Sequence, residues 1–311
     1  MPTPRPSIAL IGAPSDAGAN LPGTSLGPDA LRIAGIAPAL RARGLHAIDH
    51  GNLSAPGGGH HAGHTPQQGC EDLAEVAQWN AAVCGAVAEA LAAGHLPLLL
   101  GGDHSLAVGS ISAVARHCRQ RGQRLKVLWL DAHADANTPA TSPSGNLHGM
   151  PVACLLGHGP QGLTHLAGHS PALVPAQLAL LGVRSVDAAE KRFVNALGIE
   201  VYDMRYIDEV GMRATMAQAL YGVDRHTHLH VSFDLDCLDP TVAPGVGTPV
   251  RGGPTYREIQ LCMEILADCG ALGSVDVVEL NPTRDVRNQS AELAVDLLES
   301  LFGKSTLMRA R

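Results

Sequence analysis

Short apolar runs alternate along the chain with longer stretches in which apolar residues recur every three or four positions. The runs predict strands over 7–12, 45–49, 95–100, 126–131, 177–182, 199–203, 228–234 and 274–280. The longer stretches predict helices near 28–43, 71–93, 104–118, 187–197, 205–221, 255–269 and 289–302. Pro28 suits a first helical turn, and Gly44 and Gly94 stand where helices stop. Runs such as Val127-Leu128-Trp129-Leu130 are apolar throughout and read as buried strands. Regular strand–helix alternation predicts an α/β fold, a mostly parallel sheet covered by helices on both sides. No repeat or linker interrupts the pattern, so residues 1–311 are read as one domain.

In such sheets ligands bind beyond the carboxyl ends of strands, and three strand ends carry ligand-type residues. Leu98-Leu99-Leu100 runs into Gly101-Gly102-Asp103-His104-Ser105, a tight turn that delivers His104 to a helix start. Val127-Leu128-Trp129-Leu130 runs into Asp131-Ala132-His133-Ala134-Asp135. Val231-Ser232-Phe233 runs into Asp234-Leu235-Asp236. Spacing of two keeps side chains on one face of a strand. A fully extended chain would still hold Asp131 and Asp135 roughly 13 Å apart, so the chain must curl as it leaves the strand for both to serve one site.

Taken with His104, the last two ends offer four carboxylates and two imidazoles. Four aspartates at one sheet edge repel unless protonated or neutralised. Two divalent cations would cancel their charge, which points to a two-metal site. A donor set rich in oxygen, with two His and no Cys, favours Mn²⁺ over a structural zinc. Cys237 adjoins Asp236 but is expected to face the other way.

Composition narrows the picture. The chain has 311 residues, of which 45% are hydrophobic but only 3% aromatic, so Leu, Val and Ala must fill the core. A net charge of −7 with no basic block argues against nucleic acid or an anionic membrane as partner. Seven scattered cysteines without a CxxC pair suggest reduced thiols, hence a cytoplasmic setting. No apolar run is long enough to span a membrane, and Ile8 to Ile11 is too short for a signal core.

Two loops stand out. Residues 55–69 are Gly-rich and hold His60, His61 and His64; with no carboxylate or Cys nearby, a solvated loop is expected. Residues 137–149 follow the Asp131–Asp135 motif directly and should overhang whatever it binds.

The three strand-end motifs, the last extended through Cys237-Leu238-Asp239-Pro240, resemble the metal motifs of the ureohydrolases, which hydrolyse guanidinium compounds at a binuclear manganese centre. The likeness runs from Ile11-Gly12-Ala13-Pro14 to about Pro282. It implies a three-layer α/β/α domain around an eight-stranded, mostly parallel sheet, with His104, Asp131, His133, Asp135, Asp234 and Asp236 holding two Mn²⁺ ions. Within the family the arginase branch is most similar. By that resemblance the loop from Asn137-Thr138-Pro139 to Ser144-Gly145-Asn146-Leu147-His148-Gly149 receives an amino-acid head group. Asn137 and Ser144 would hold its carboxylate, with Asn146 nearby. Asp187, Glu190 and Ser185 fall in the segment that meets the amino group, and Ser185 stands where arginases commonly have a second Asp. Asp187 also reads as a plain helix N-cap.

Glu279 would pair with the guanidinium, with His133 and Thr248 also lining the pocket. Even apart from the resemblance, a carboxylate at the end of so apolar a strand is costly without a partner. The implied reaction is attack by a hydroxide bridging the two ions on L-arginine, giving L-ornithine and urea, with Asp135 relaying a proton and His148 shuttling it to water. An agmatinase or other guanidino hydrolase would keep the metals and lose the head-group contacts. A one-zinc deacetylase or a silent binding protein would depart further. Family resemblance also implies a homotrimer or homohexamer.

Overall fold

Leu98 and Leu100 point into one layer of the molecule and Leu99 into the other, because successive side chains of a strand face opposite ways. The same alternation along most central strands builds two apolar cores, one on each side of a single sheet, while Thr227–Asp234 and Leu272–Val278 give apolar side chains to one core only. A computed structural model describes residues 7–54 and 67–304; the segment with His60, His61 and His64 lies outside the described residues. The sheet has eight strands: β1 (Ile8–Ala13), β2 (Ala47–Asn52), β3 (Leu96–Gly101), β4 (Arg124–Leu130), β5 (Leu178–Leu181), β6 (Glu200–Tyr202), β7 (Thr227–Asp234) and β8 (Leu272–Val278). Their order is β2-β1-β3-β8-β7-β4-β5-β6, and every pairing is parallel.

One core packs helices Gly27–Ile33, Ile36–Ala42, Tyr256–Cys269 and Gln289–Leu301 against the sheet. The other packs Leu73–Ala92, Ala107–Arg121, Pro151–Leu155 and Ala188–Leu197. Leucine, valine and alanine dominate both, and Trp129 and Phe233 are the largest of the fully buried side chains. Each fully buried leucine contributes roughly 1.5–3 kcal/mol, so the scarcity of aromatics leaves no deficit in core material.

Two expected helices are each split. The stretch 28–43 breaks at Gly35 (φ 89°), and 205–221 breaks at Gly211 (φ 81°) into Met204–Val210 and Met212–Ala219. These left-handed backbone positions suit glycine, and an apolar periodicity does not reveal them. The helix expected from 104 opens instead as a 3-10 turn, His104–Leu106, before Ala107–Arg121. Strand β8 stops at Val278, short of the expected 280, because Glu279 adopts φ 63°. Among the described residues no helix is long and apolar enough to cross a membrane.

Chain order explains where a site can form. β3 lies beside β1, the chain then crosses to β4 and runs outward through β5 and β6, and β7 and β8 return to fill the gap. The carboxyl ends of β3, β8, β7 and β4 therefore converge at the reversal of strand order, the place where open α/β sheets bind ligands.

Candidate metal centre and substrate cavity

Each of those four strands ends in residues singled out from the sequence. β3 exits through Gly102 and Asp103 to His104, and β7 ends on Asp234, with Asp236 in the 3-10 turn Leu235–Cys237 that follows. Past β4 the chain curls as expected: Asp135 has φ 49°, a conformation that Asp tolerates better than most residues. Glu279, also left-handed, leaves β8 in the same direction. Its N–H donates to Gly102 O at 2.8 Å, and its Oε1 accepts from His104 N–H at 2.8 Å. Strained backbone of this kind costs on the order of 1–3 kcal/mol per residue and gathers at functional sites.

The six candidate ligands meet. His104 Nδ1 lies 3.1 Å from Asp131 Oδ2, 3.2 Å from Asp135 Oδ2 and 3.0 Å from Asp234 Oδ2. His133 Nδ1 lies 3.4 Å from Asp131 Oδ1 and 3.1 Å from Asp236 Oδ2. Donor atoms of His104, Asp131 and Asp135 fall within 4.8 Å of one another, and so do those of Asp131, His133 and Asp236. Asp131 belongs to both groups, one oxygen turned to each imidazole.

Burial makes this cluster demand positive charge. All four aspartates are buried. Burial, then the charge of Asp131, pushes the Asp135 carboxyl up to about 8, and burial with neighbouring carboxylates raises Asp234 and Asp236 as well. For Asp131 burial is outweighed by the two imidazoles, which hold it well below the ordinary range. Burial works against the charged form of His133, yet Asp131 and Asp236 prevail and raise it to about 12. Protons and imidazolium charge thus occupy positions that divalent cations would take, releasing those protons as they bind. Four carboxylates and two imidazoles without a thiolate form a donor set suited to Mn²⁺, and the residues fit a two-cation centre.

A further set of side chains aims the ligands. Trp129 Nε1–H donates to Asp131 Oδ2 at 2.9 Å, and its ring stacks on His104 at 4.0 Å. Ser232 Oγ lies 2.9 Å from His104 Nε2, leaving Nδ1 to face the carboxylates. Thr248 Oγ1 donates to Asp236 Oδ2 at 2.9 Å. The Arg184 guanidinium donates to the carbonyls of Gly182, Asp236, Cys237, Leu238 and Val250 at 2.8–3.2 Å. The Arg184 N–H also reaches Ala132 O at 2.8 Å, so one residue ties together the exits of β4, β5 and β7.

Above the cluster opens a cavity of about 130 Å³ lined by His133, Asp135, Asn137, His148, Gly149, Ser185, Asp187, Glu190, Asp234, Asp236 and Thr248. Asn137 Nδ2 donates to Asp187 Oδ2 at 3.0 Å. Glu190 accepts from Ala136 N–H at 2.8 Å and Asp187 N–H at 3.1 Å, pinning the turn after Asp135 to the N-cap of helix Ala188–Leu197. The capping expected of Asp187 and a position at the cavity are therefore compatible. His148 Nδ1 lies 3.1 Å from Glu279 Oε1. Burial disfavours the imidazolium of His148, but Glu279 outweighs it and raises the ring to about 9.

These strand-end ligands and the polar cavity above them match a known pattern across nearly the whole chain. The model of the Arginase family covers residues 6–303. An arginase of Bacillus caldovelox is 44% identical over 304 residues, 96% of this chain and 99% of that protein. The chain belongs to the arginase family. An arginase of Brevibacillus brevis is 41% identical, over 97% of this chain and 99% of its own. The crystal structure of the Bacillus caldovelox arginase superposes with a TM-score of 0.91 at 42% identity, covering 97% of this chain and 100% of that one.

Three expected contacts, Ser144, Asn146 and Glu279, are not among the residues that line the cavity. Ser144 is exposed, with its Oγ accepting from Asn146 N–H at 3.2 Å. Glu279 lies beneath His148, its Oε2 directed toward Gly247. Arg184, Trp129 and Ser232 acquired no role from sequence reasoning. Arg184 carried a signal: a lone cation at a sheet edge crowded with aspartates. Trp129 and Ser232 read as ordinary strand residues.

Proposed function

We propose that the chain is a binuclear manganese hydrolase that cleaves the guanidinium group of L-arginine to L-ornithine and urea. The observation that carries this reading is the shared position of Asp131 between two ligand groups, beneath a cavity edged by the Asn137–Asp187 pair. Bound Mn²⁺ ions would offset the carboxylates and make a water-derived nucleophile available near neutral pH. The chain's own residues do the rest. Glu279, buried and with Oε2 turned toward Gly247, receives the planar guanidinium through charge-assisted hydrogen bonds. Asp135 passes a proton to the departing nitrogen, and His148 exchanges protons with solvent. Asn137, Asp187 and Glu190 hold the amino-acid head group, with Ser144 and Asn146 reaching it only if the loop shifts. The assembly is a trimer or hexamer acting in the cytoplasm.

Substrate choice tests this. L-arginine and agmatine share the guanidinium and differ at the carboxylate, so only the distal residues can separate them. Sites built to bond a polar group reject analogues lacking it, by factors that reach 10⁴–10⁵. The expected preference for L-arginine is at least about a hundredfold in kcat/KM, with Asp187→Ala acting mainly on KM. Equal efficiency on agmatine would move the chain to an agmatinase reading.

A further inference from the structure

The turn leaving β3 carries a group that the reading above does not use. Asp103 is fully buried. Its Oδ1 accepts from Ser105 N–H at 2.9 Å, shaping the turn that presents His104. Its Oδ2 reaches across 85 residues of sequence to accept from Gly18 N–H at 3.0 Å. The Gly18 carbonyl in turn accepts from His148 N–H at 2.9 Å. The approach is close: a Cβ on Gly18 would lie 2.4 Å from Asp103 Oδ1 and 2.6 Å from Ser105 Oγ. Asp103 N–H also donates to Ser15 O at 3.0 Å, so the loop after β1 is held on the turn at two points. His148 is thereby anchored twice through neighbouring residues. Its backbone rests on Gly18, held by Asp103, and its ring meets Glu279, whose Oε1 is held by His104 N–H.

We propose that Asp103 is a positioning residue for the hydrolysis, fixing the His148 imidazole over the cation centre by clamping Gly18. This rests on the proton-carrying role given to His148. An ångström of misplacement at such a group can cost about a hundredfold in rate. Asparagine keeps the size of Asp103 but has one acceptor oxygen in place of two, so Gly18 or Ser105 loses its partner.

The test compares urea release by manganese-loaded wild type, Asp103→Asn, His148→Ala and the double variant. It also measures metal content and hydrogen exchange at the His148 amide. Asp103→Asn is expected to lower kcat about ten- to a hundredfold, leave KM within about twofold and retain bound metal. Exchange at the His148 amide should quicken, and added imidazole should restore part of the rate. The double variant should be no slower than His148→Ala. Additive losses in the double variant, or metal lost in step with rate, would overturn the proposal while leaving the His148 role intact. An unchanged kcat in His148→Ala would sink that role and this proposal together. Should Asp103→Asn fail to fold, Gly18→Ala strains the same clamp from its other side and must give the same pattern.

Discussion

Asp131 turns one oxygen toward His104 and the other toward His133, so its loss should be felt on both sides of the centre, whereas Asp236 serves only the His133 group among the two. Asp131→Ala is expected to leave little bound metal, and Asp236→Ala to keep the His104 side partly loaded. The orientation of Asp131 depends on Trp129, whose indole N–H bonds it from beneath. Trp129→Phe keeps the packing and removes that donor. The expected effect is a metal affinity weaker by about 10–100-fold, the usual reach of groups that orient a ligand. Calorimetric titration with Mn²⁺ measures it, and an unchanged affinity would leave Trp129 as core alone. At this scale the sequence was partly legible. The six candidate ligands sit in short motifs at strand ends, where local spacing speaks. Trp129 and Asp103 were silent because one sits inside an apolar run and the other bonds a residue far away in sequence.

Strands β7 and β8 show what an element adds. On the face covered by helix Ala107–Arg121 they carry a buried polar ladder. His228 Nε2 and His230 Nδ1 each lie 2.8 Å from Ser274 Oγ, His230 Nε2 lies 3.1 Å from Asp276 Oδ2, and Ser110 Oγ donates to Asp276 Oδ1 at 2.6 Å. Burial, then the charges of His230 and His117, depresses His228 to about 3. The folded chain thus keeps His228 neutral, while the unfolded chain protonates it near its ordinary 6.5. Its contribution is fully present above about 6.5 and is lost as pH falls toward 3, by at most ~1.4 kcal/mol per pH unit. His228→Gln should remove that dependence. The stability gap between wild type and variant should therefore shift by about 2 kcal/mol in favour of the variant from pH 7 to pH 5. Chemical denaturation at the two pH values checks this, and parallel curves would contradict it. Strands β3, β4 and β5 were legible because burial on both faces writes them as apolar runs. Their helical partners were less so, since single left-handed glycines cut two of them.

Across the whole molecule, strand order gathers residues more than a hundred positions apart at one edge, and the Arg184 carbonyl contacts and the Asp103 clamp hold that edge in shape. Periodicity could predict an α/β sheet but not which ends would meet; the resemblance of the motifs supplied the expectation, and the order β3-β8-β7-β4 realises it. Ser144 and Asn146 remained outside the cavity because loop conformation is set by local turns, such as the Ser144 Oγ bond to Asn146 N–H, rather than by sheet geometry. The central claim is that both ligand groups must be filled for guanidinium hydrolysis. Titrating metal-stripped protein with Mn²⁺ while following urea release from L-arginine and metal bound per chain tests it directly. Activity should rise to a plateau at two equivalents per chain. A plateau at one equivalent, or no urea at full loading, would contradict the account.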